Sequence, residues 1–507
     1  MILLSTLLIP LIAILIISIS PEENKKFFAY LLTGSLLYSF VVYMYMLFTY
    51  STLYFEVLYG YVSSIGYFGL IYDGFNAPFL LGIALVSSIV ALYSLPYMEH
   101  RFHELGGGSW RSYYVNYGLF SVSMLGVALS SNMIEFYIFL EISLITSFIL
   151  LALYGYGDRI RIGIMYFIWT HVGALLFLIG SFIYGLNAGS FDFIVPYKPY
   201  YMTGRGYEVL APLGLQVIVF ILIFLGLMIK LPGFGFHIWL PYAHAEAPTP
   251  VSALLSPNLI GLAALGMLRI LVTLFPQIFY LMQNMIIVWA LITMIYGGLV
   301  ALYQSDYKRF LAYSSISQMG YILLGLATLT PAGVLGAVLH YLTHALGKAS
   351  LFMTAGNIII SGNELRDINK MGGLASSMNK TAGSALLGFL SISGLPPTVG
   401  IISKFLIVAG FASYVITGFS NIYLMVILIL VAFIGFGLTL VYSFHTMRRI
   451  FFGLRRSDVE VSEAPSMASS STFVLAIFSI IFLILAGYLI NQAHYSSDFM
   501  KIILIMR

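Results

Sequence analysis

The chain has 507 residues, of which 60% are hydrophobic and only 8% charged. A water-soluble domain carries about 25% charged residues, so a surface this poor in charge must face lipid, and a net charge of +4 gives no electrostatic footprint for nucleic acid. The absence of cysteine excludes Fe–S ligation, disulfides, thiolate zinc sites and thiol nucleophiles, and with no glycine-rich phosphate loop no cofactor is expected in this chain.

A membrane-crossing helix needs about 20 apolar residues. Such stretches fall near 2–20, 27–50, 75–98, 114–131, 133–154, 163–186 and 213–246, then near 249–274, 279–303, 309–329, 332–360, 382–413, 421–450 and 470–492. The pattern predicts an all-α integral membrane protein of about fourteen transmembrane helices in a single polytopic domain, 1–507. The first stretch lacks a basic start and a small-residue cleavage site, so it is expected to be a membrane helix and not a leader. Lys25, Lys26, Arg101, Arg111, Arg159, Arg161, Lys308, Arg309, Arg366, Lys370, Lys380, Arg448, Arg449, Arg455 and Arg456 fall in odd-numbered loops. Even loops and the C-terminal tail hold Lys198, Arg205, Lys501 and Arg507. That asymmetry puts the odd loops in the cytoplasm and both termini outside.

Two stretches are interrupted. The seventh reads GLMIKLPGFGFHIWLPYAHAEAPTP, where Pro232-Gly233 must open the helix; the twelfth reads SISGLPPTVGIISKF, where Pro396-Pro397 does the same. They lie five spans apart, and an odd-numbered repeat enters the membrane from the opposite side. Helices 4–8 (114–274) and 9–13 (279–450) are therefore expected to be inverted repeats, each with one broken helix, preceded by helices 1–3 (1–113) and followed by helix 14 (470–492). Paired broken helices are a sequence pointer to a transport site.

Ionisable residues at mid-span are the candidate path, because a charge at the membrane centre costs at least about 2.5–3.5 kcal/mol and usually faces a cavity or a partner. Glu141 falls in the middle of helix 5 and Lys230 abuts the break of helix 7. The plainer reading is an ion pair that pins two helices together; beside a break, where water and freed carbonyls collect, the pair can instead exchange a proton. His340, His344 and Lys348 recur at i, i+4 and i+8, which stacks them on one helix face, and imidazole can pass a proton between its two nitrogens. Lys404 follows the break of helix 12. His237 and His244 flank Trp239 after the helix 7 break; they are read as path residues, since a metal site would have no cysteine and only Glu246 nearby. His171 is expected to pack, Arg269 to snorkel, Glu135 to be solvated, and Asp306, Lys308 and Arg309 to set topology. The 37 Tyr and 39 Phe are expected in interfacial belts and lipid-facing packing.

The stretch KLPGFGFHIWLPYAHAEAPTPVSALL resembles the signature of the antiporter-like subunits shared by respiratory complex I, Mrp cation/proton antiporters and energy-converting membrane-bound hydrogenases. FYIFLEISLI, DYKRFLAYSSISQMGY, HYLTHALGKASLF and SGLPPTVGIISKF extend the resemblance over roughly residues 70 to 450. It implies fourteen helices with inverted five-helix repeats and a central polar chain. Within that chain it makes Glu141 and Lys230 the coupling pair, His340, His344 and Lys348 the polar stretch of helix 11, and Lys404 the ionisable residue of helix 12. Gly261 stands where many relatives have a helix 8 lysine, and Gln318 where many have histidine. Lysine at 404 and the AHAEAPTPVSALL wording are similar to the Mrp D subunit and to archaeal membrane-bound hydrogenases. The resemblance thus implies a subunit moving H⁺ or Na⁺ in a multisubunit redox complex of a prokaryotic cell membrane, archaeal by this wording. Its partners would be antiporter-like and small Mrp-like membrane subunits and Fe–S or hydrogenase-like peripheral subunits, which would hold any oxidoreductase chemistry. A D-type Mrp subunit without a redox partner is the alternative. A polytopic lipid-modifying enzyme would need an exposed catalytic loop or metal cluster, which the sequence lacks.

Overall fold

Hydrocarbon offers no hydrogen bonds, so backbone crossing it must pair with itself, and helix follows. The computed structural model describes residues 1–50, 52–195, 205–210, 212–418, 421–454 and 460–495. Of the basic residues expected in loops and tail, Lys198, Arg455, Arg456, Lys501 and Arg507 lie outside the described residues. Spans 1–6 run Ile2–Ile19, Lys25–Thr49, Ala77–Glu104, Trp110–Leu129, Met133–Tyr154 and Arg159–Ala188. Span 7 is split into Leu213–Lys230 and Trp239–Glu246, and span 8 covers Thr249–Val272. Spans 9–11 are Pro276–Leu302, Tyr307–Ala327 and Pro331–Ser361; span 12 is split into Asn379–Ser393 and Gly400–Gly418. Span 13 covers Ile422–Phe452 and span 14 Ser466–Tyr495.

Among the described residues, 12 helices are long and apolar enough to cross a membrane. Spans 4 and 11 are also long, but they are more polar because they are interior. Every residue from Gly333 to Ile359 of span 11 is buried, so its histidines and lysine face protein and never lipid. Span 4 is tyrosine-rich, and its hydroxyls stitch it to span 3: Tyr113 donates to Ser94 Oγ (2.8 Å), Tyr114 to the Ala91 carbonyl (3.3 Å) and Tyr117 to the Ser87 carbonyl (2.7 Å). These tyrosines are fully buried, as are Tyr93, Tyr97, Tyr166 and Tyr321, so an interfacial belt does not account for them. A buried phenol is stable where its hydroxyl finds an acceptor.

The all-α membrane fold carries one small addition. Strands β1 (Tyr54–Val62) and β2 (Gly66–Tyr72) form an antiparallel hairpin between spans 2 and 3. Aromatic and β-branched residues in runs too short to cross a bilayer favour this. Glu56 of β1 caps span 1 by accepting the Leu3 and Leu4 N–H groups at 2.9 and 3.0 Å, placing a carboxylate where a helix N-terminus is electropositive.

The two halves share a plan. Asn132 caps span 5 through the Ile134 N–H (2.8 Å) and forms an isolated antiparallel bridge with Asp192, just past span 6. Asp306 caps span 10 through the Arg309 N–H (2.8 Å) and bridges Asp367, just past span 11. Counting spans puts the two bridges at opposite ends of the bundle, as inversion requires.

Four loop or rim assignments change. Arg269 does not snorkel; it is buried and ion-paired with buried Asp73, which also accepts the Phe75 and Asn76 N–H groups ahead of span 3. Glu135 is buried and not solvated. Arg101 and Lys308 lie inside spans 3 and 10, buried at the odd-loop end. In each case a partner inside the bundle replaces water. Removing one member of a buried ion pair costs about 3–5 kcal/mol. Arg269→Met is therefore expected to lower the thermal unfolding temperature of the purified protein markedly. Asp73→Asn in the same chain, which removes the stranded charge, should recover most of the loss.

Candidate ion-translocation path

The break in span 7, from Leu231 to Ile238, frees backbone groups in mid-membrane. Indoles and a hydroxyl satisfy them. Trp239 donates to the Ile229 carbonyl (3.0 Å), Trp169 of span 6 to Phe236 (3.0 Å) and Trp289 of span 9 to Phe234 (2.8 Å). The Phe234 N–H donates to Thr293 Oγ1 at 3.1 Å. Three of the chain's four tryptophans thus hold the unwound segment open from both flanks.

Lys230 ends the first half of that span. It is 2% exposed, and its Nζ has no hydrogen-bond partner in the protein. Glu141 is the charged group that acts on it, but the two are not joined in an ion pair. Glu141 Oε2 instead lies 3.0 Å from His171 Nδ1, and its Oε1 is unbonded. His171, expected only to pack, does stack on Phe167 (5.4 Å between centroids, 9° between planes), yet its nitrogen serves the carboxylate. No spacing rule links residues 141 and 171; their approach is a tertiary contact between spans 5 and 6.

The two histidines after the break diverge. His237 sits between Phe234 and Tyr296, with Nε2 3.3 Å from the Tyr296 hydroxyl. His244 is fully buried against Phe352 (4.9 Å), and neither ring nitrogen is bonded. Its charged neighbours are Lys308, Lys348 and His344.

His340, His344 and Lys348 are fully buried along span 11. His340 reaches Ser403 Oγ through Nδ1 and Gln318 Oε1 through Nε2, both at 3.0 Å, and Gln318 Nε2 donates to the Tyr442 hydroxyl at 2.6 Å. His344 has no bonded nitrogen; it faces the Pro257 carbonyl of a π-helical turn, Leu255–Leu259, in span 8. Asn258 on that turn also has an unbonded side-chain amide. Such π turns are frequent at functional sites. Lys348 donates to the Leu311 carbonyl (3.1 Å) and to Ser314 Oγ.

Lys404 lies past the break in span 12. Its Nζ sits over the Tyr321 ring, 4.0 Å from the centroid, with no hydrogen-bond partner. It acts electrostatically on His340 and Lys348. Two polar groups therefore emerge. Glu141, Lys230 and His171 form one, and His244, His344, Lys348, Lys404 and His340 form the other.

Lys308, read from the sequence as a topology signal, belongs beside the second group. It is fully buried, donates to the Ala247 carbonyl and has Arg366, Asp306, Glu246 and Arg101 as charged neighbours. Length alone assigned it to a loop, because an apolar count stops at the first charge.

Residues 130–435, more than half the chain, match the family described as "NADH:quinone oxidoreductase/Mrp antiporter, TM". The chain belongs to that family of antiporter-like membrane subunits. It is 31% identical over 413 residues to NADH-quinone oxidoreductase subunit M of Rickettsia prowazekii, covering 80% of this chain and 81% of the relative. It is 32% identical over 436 residues to F(420)H(2) dehydrogenase subunit M of Methanosarcina mazei, covering 83% and 82%. A chain in the structure of the Mrp complex from a Dietzia species has the same fold, with a TM-score of 0.83 at 18% identity over 99% of each chain.

The glycine at 261 has a structural explanation. A Cβ built there would lie 2.4 Å from Tyr341 Cδ2, and the Tyr341 ring is itself stacked on Phe79 at 3.9 Å. The tyrosine fills the place beside span 8 where a lysine stem would start. Gly261→Lys is therefore expected to impair assembly, as judged by recovery of a monodisperse complex. Adding Tyr341→Ala should restore recovery, and failure to do so would remove the steric account.

Proposed function

We propose that this antiporter-like subunit moves H⁺ or Na⁺ across a cell membrane within a multisubunit, energy-converting redox complex of the membrane-bound hydrogenase or a related ferredoxin-linked type. The observation that carries the reading is the pair of buried lysines, Lys230 and Lys404, each beside a broken span and each without a hydrogen bond from the protein. A desolvated ammonium without a partner is costly, so its proton depends on nearby charge. A unit charge about 4 Å away is worth about 4 kcal/mol at an effective dielectric of 20, on the order of three pKa units. Movement of the Glu141 carboxylate is then enough to switch Lys230.

In this reading, electron transfer in partner subunits shifts charge next to Glu141. The change at Lys230 passes by way of His237, His244, His344, Lys348 and His340 to Lys404. The repeats at 114–274 and 279–450 would each contribute one broken helix to the path, with odd loops cytoplasmic and both termini outside. Partners would include further antiporter-like and small Mrp-like membrane subunits and Fe–S or hydrogenase-like peripheral subunits in a prokaryotic, archaeal cell membrane. The redox reading is supported by the names of both relatives, an NADH-quinone oxidoreductase subunit and an F(420)H(2) dehydrogenase subunit.

Lysine at 404 and the AHAEAPTPVSALL wording favour a second reading, a D-type subunit of an Mrp cation/proton antiporter without a redox partner. Copurifying subunits separate the two. Glu141→Ala and Lys230→Ala are each expected to abolish ion translocation by the native assembly in membrane vesicles while the assembly forms normally. Unchanged translocation in either would reject the coupling role.

A further inference from the structure

We infer that His171 is a positioning residue for translocation, the outer of two stations for the Glu141 carboxylate, with Lys230 as the inner one. The inference rests on the coupling role proposed for Glu141 and Lys230 and adds a residue to it.

Three observations lead there. First, Glu141 is bonded on one side only. Oε2 is 3.0 Å from His171 Nδ1 while Oε1 and Lys230 Nζ are both unbonded, so the carboxylate stands at one station with the other open. Second, the stations differ in depth. The side chains of His171 and Glu141 are 35% and 14% exposed, whereas Lys230 is 2% exposed. The carboxylate can therefore swing between the rim of the bundle and its interior. Third, the imidazole is the fixed partner. Phe167 stacks on it with only 9° between planes, which keeps Nδ1 directed at span 5 and leaves the glutamate as the moving part.

The other titratable groups facing Glu141 are Tyr137 and Tyr166. The Tyr166 hydroxyl is already engaged with Ser147 Oγ at 2.7 Å, so it is a poor third station. With the carboxylate at the inner station, Lys230 has a counter-charge and keeps its proton. With the carboxylate on His171, that counter-charge is withdrawn and the proton can leave. An imidazole suits the outer station because it holds a carboxylate either as a neutral donor or as a cation.

The test uses the native assembly in inverted membrane vesicles, reading quenching of a ΔpH-sensitive dye and movement of radiosodium across pH. His171→Phe removes the outer station, and His171→Gln keeps a hydrogen-bond donor that cannot titrate. The expected result is that His171→Phe slows translocation by on the order of tenfold or more. His171→Gln should recover much of the rate at one pH but not the wild-type shape of the pH–rate profile. Wild-type behaviour of His171→Phe, with Glu141→Ala and Lys230→Ala inactive, would overturn the outer station and leave the coupling pair standing. A slow His171→Phe with an unchanged profile, not rescued by His171→Gln, would return His171 to packing. Full activity of Glu141→Ala would overturn both readings.

Discussion

An ammonium buried inside a membrane protein is costly unless polar groups surround it, and four lysines are buried among the described residues. Lys308 and Lys348 are held by carbonyls, with Ser314 also bonded to Lys348. Lys404 rests on the face of Tyr321, and Lys230 has only the field of Glu141. Much of the surrounding structure supplies polarity to these four groups. The unwound segment of span 7 is braced by three indoles, and span 8 turns a π-helical carbonyl toward His344. Span 11 can carry two histidines and a lysine because neighbouring spans remove it from lipid. The hydrogen-bond partners are incomplete at Lys230, His244, His344 and Lys404, the residues to which the proposed function assigns proton or ion exchange.

A tyrosine packs span 11 against spans 3 and 8. Tyr341 is packed into the notch left by Gly261 and stacked on Phe79. Its hydroxyl donates to the Asn258 carbonyl at 3.2 Å, on the same π turn that faces His344. At the odd-loop end, Tyr156 lies among three cations: Arg101 at 3.8 Å, Lys308 at 5.5 Å and Arg366 at 5.9 Å from its ring. Burial pushes its phenol up, out of any physiological titration. Its hydroxyl, 2.7 Å from that of Tyr97, acts as a neutral link between span 3 and the loop that follows span 5.

How much of this was legible in the sequence depends on the range of the interaction involved. The spans and both breaks are local facts, written in runs of apolar residues and in Pro232 and Pro396-Pro397, and the structure places them where they were expected. The polar stripe of span 11 is also local, since one helix fixes its spacing. What escaped depended on contacts between distant residues. Asp73 and Arg269 are 196 positions apart, and that ion pair makes snorkelling unnecessary. Glu141 and His171 are 30 apart, on helices whose relative rotation no periodicity reveals. The buried tyrosines of span 4 look interfacial until their acceptors on span 3 are known. The hairpin was missed because a search for crossing lengths passes over short aromatic strands.

The central claim is that these acid and base groups form one connected, hydrated path between two broken spans. The most direct measurement is a cryo-electron microscopy map of the native assembly, in lipid, at a resolution that shows ordered water. The account predicts water bridging Lys230 to His244 and His344 around Tyr341, and onward from Lys348 to Lys404. Apolar side chains packed tightly between Lys230 and His344, with no water in contact with either, would contradict it.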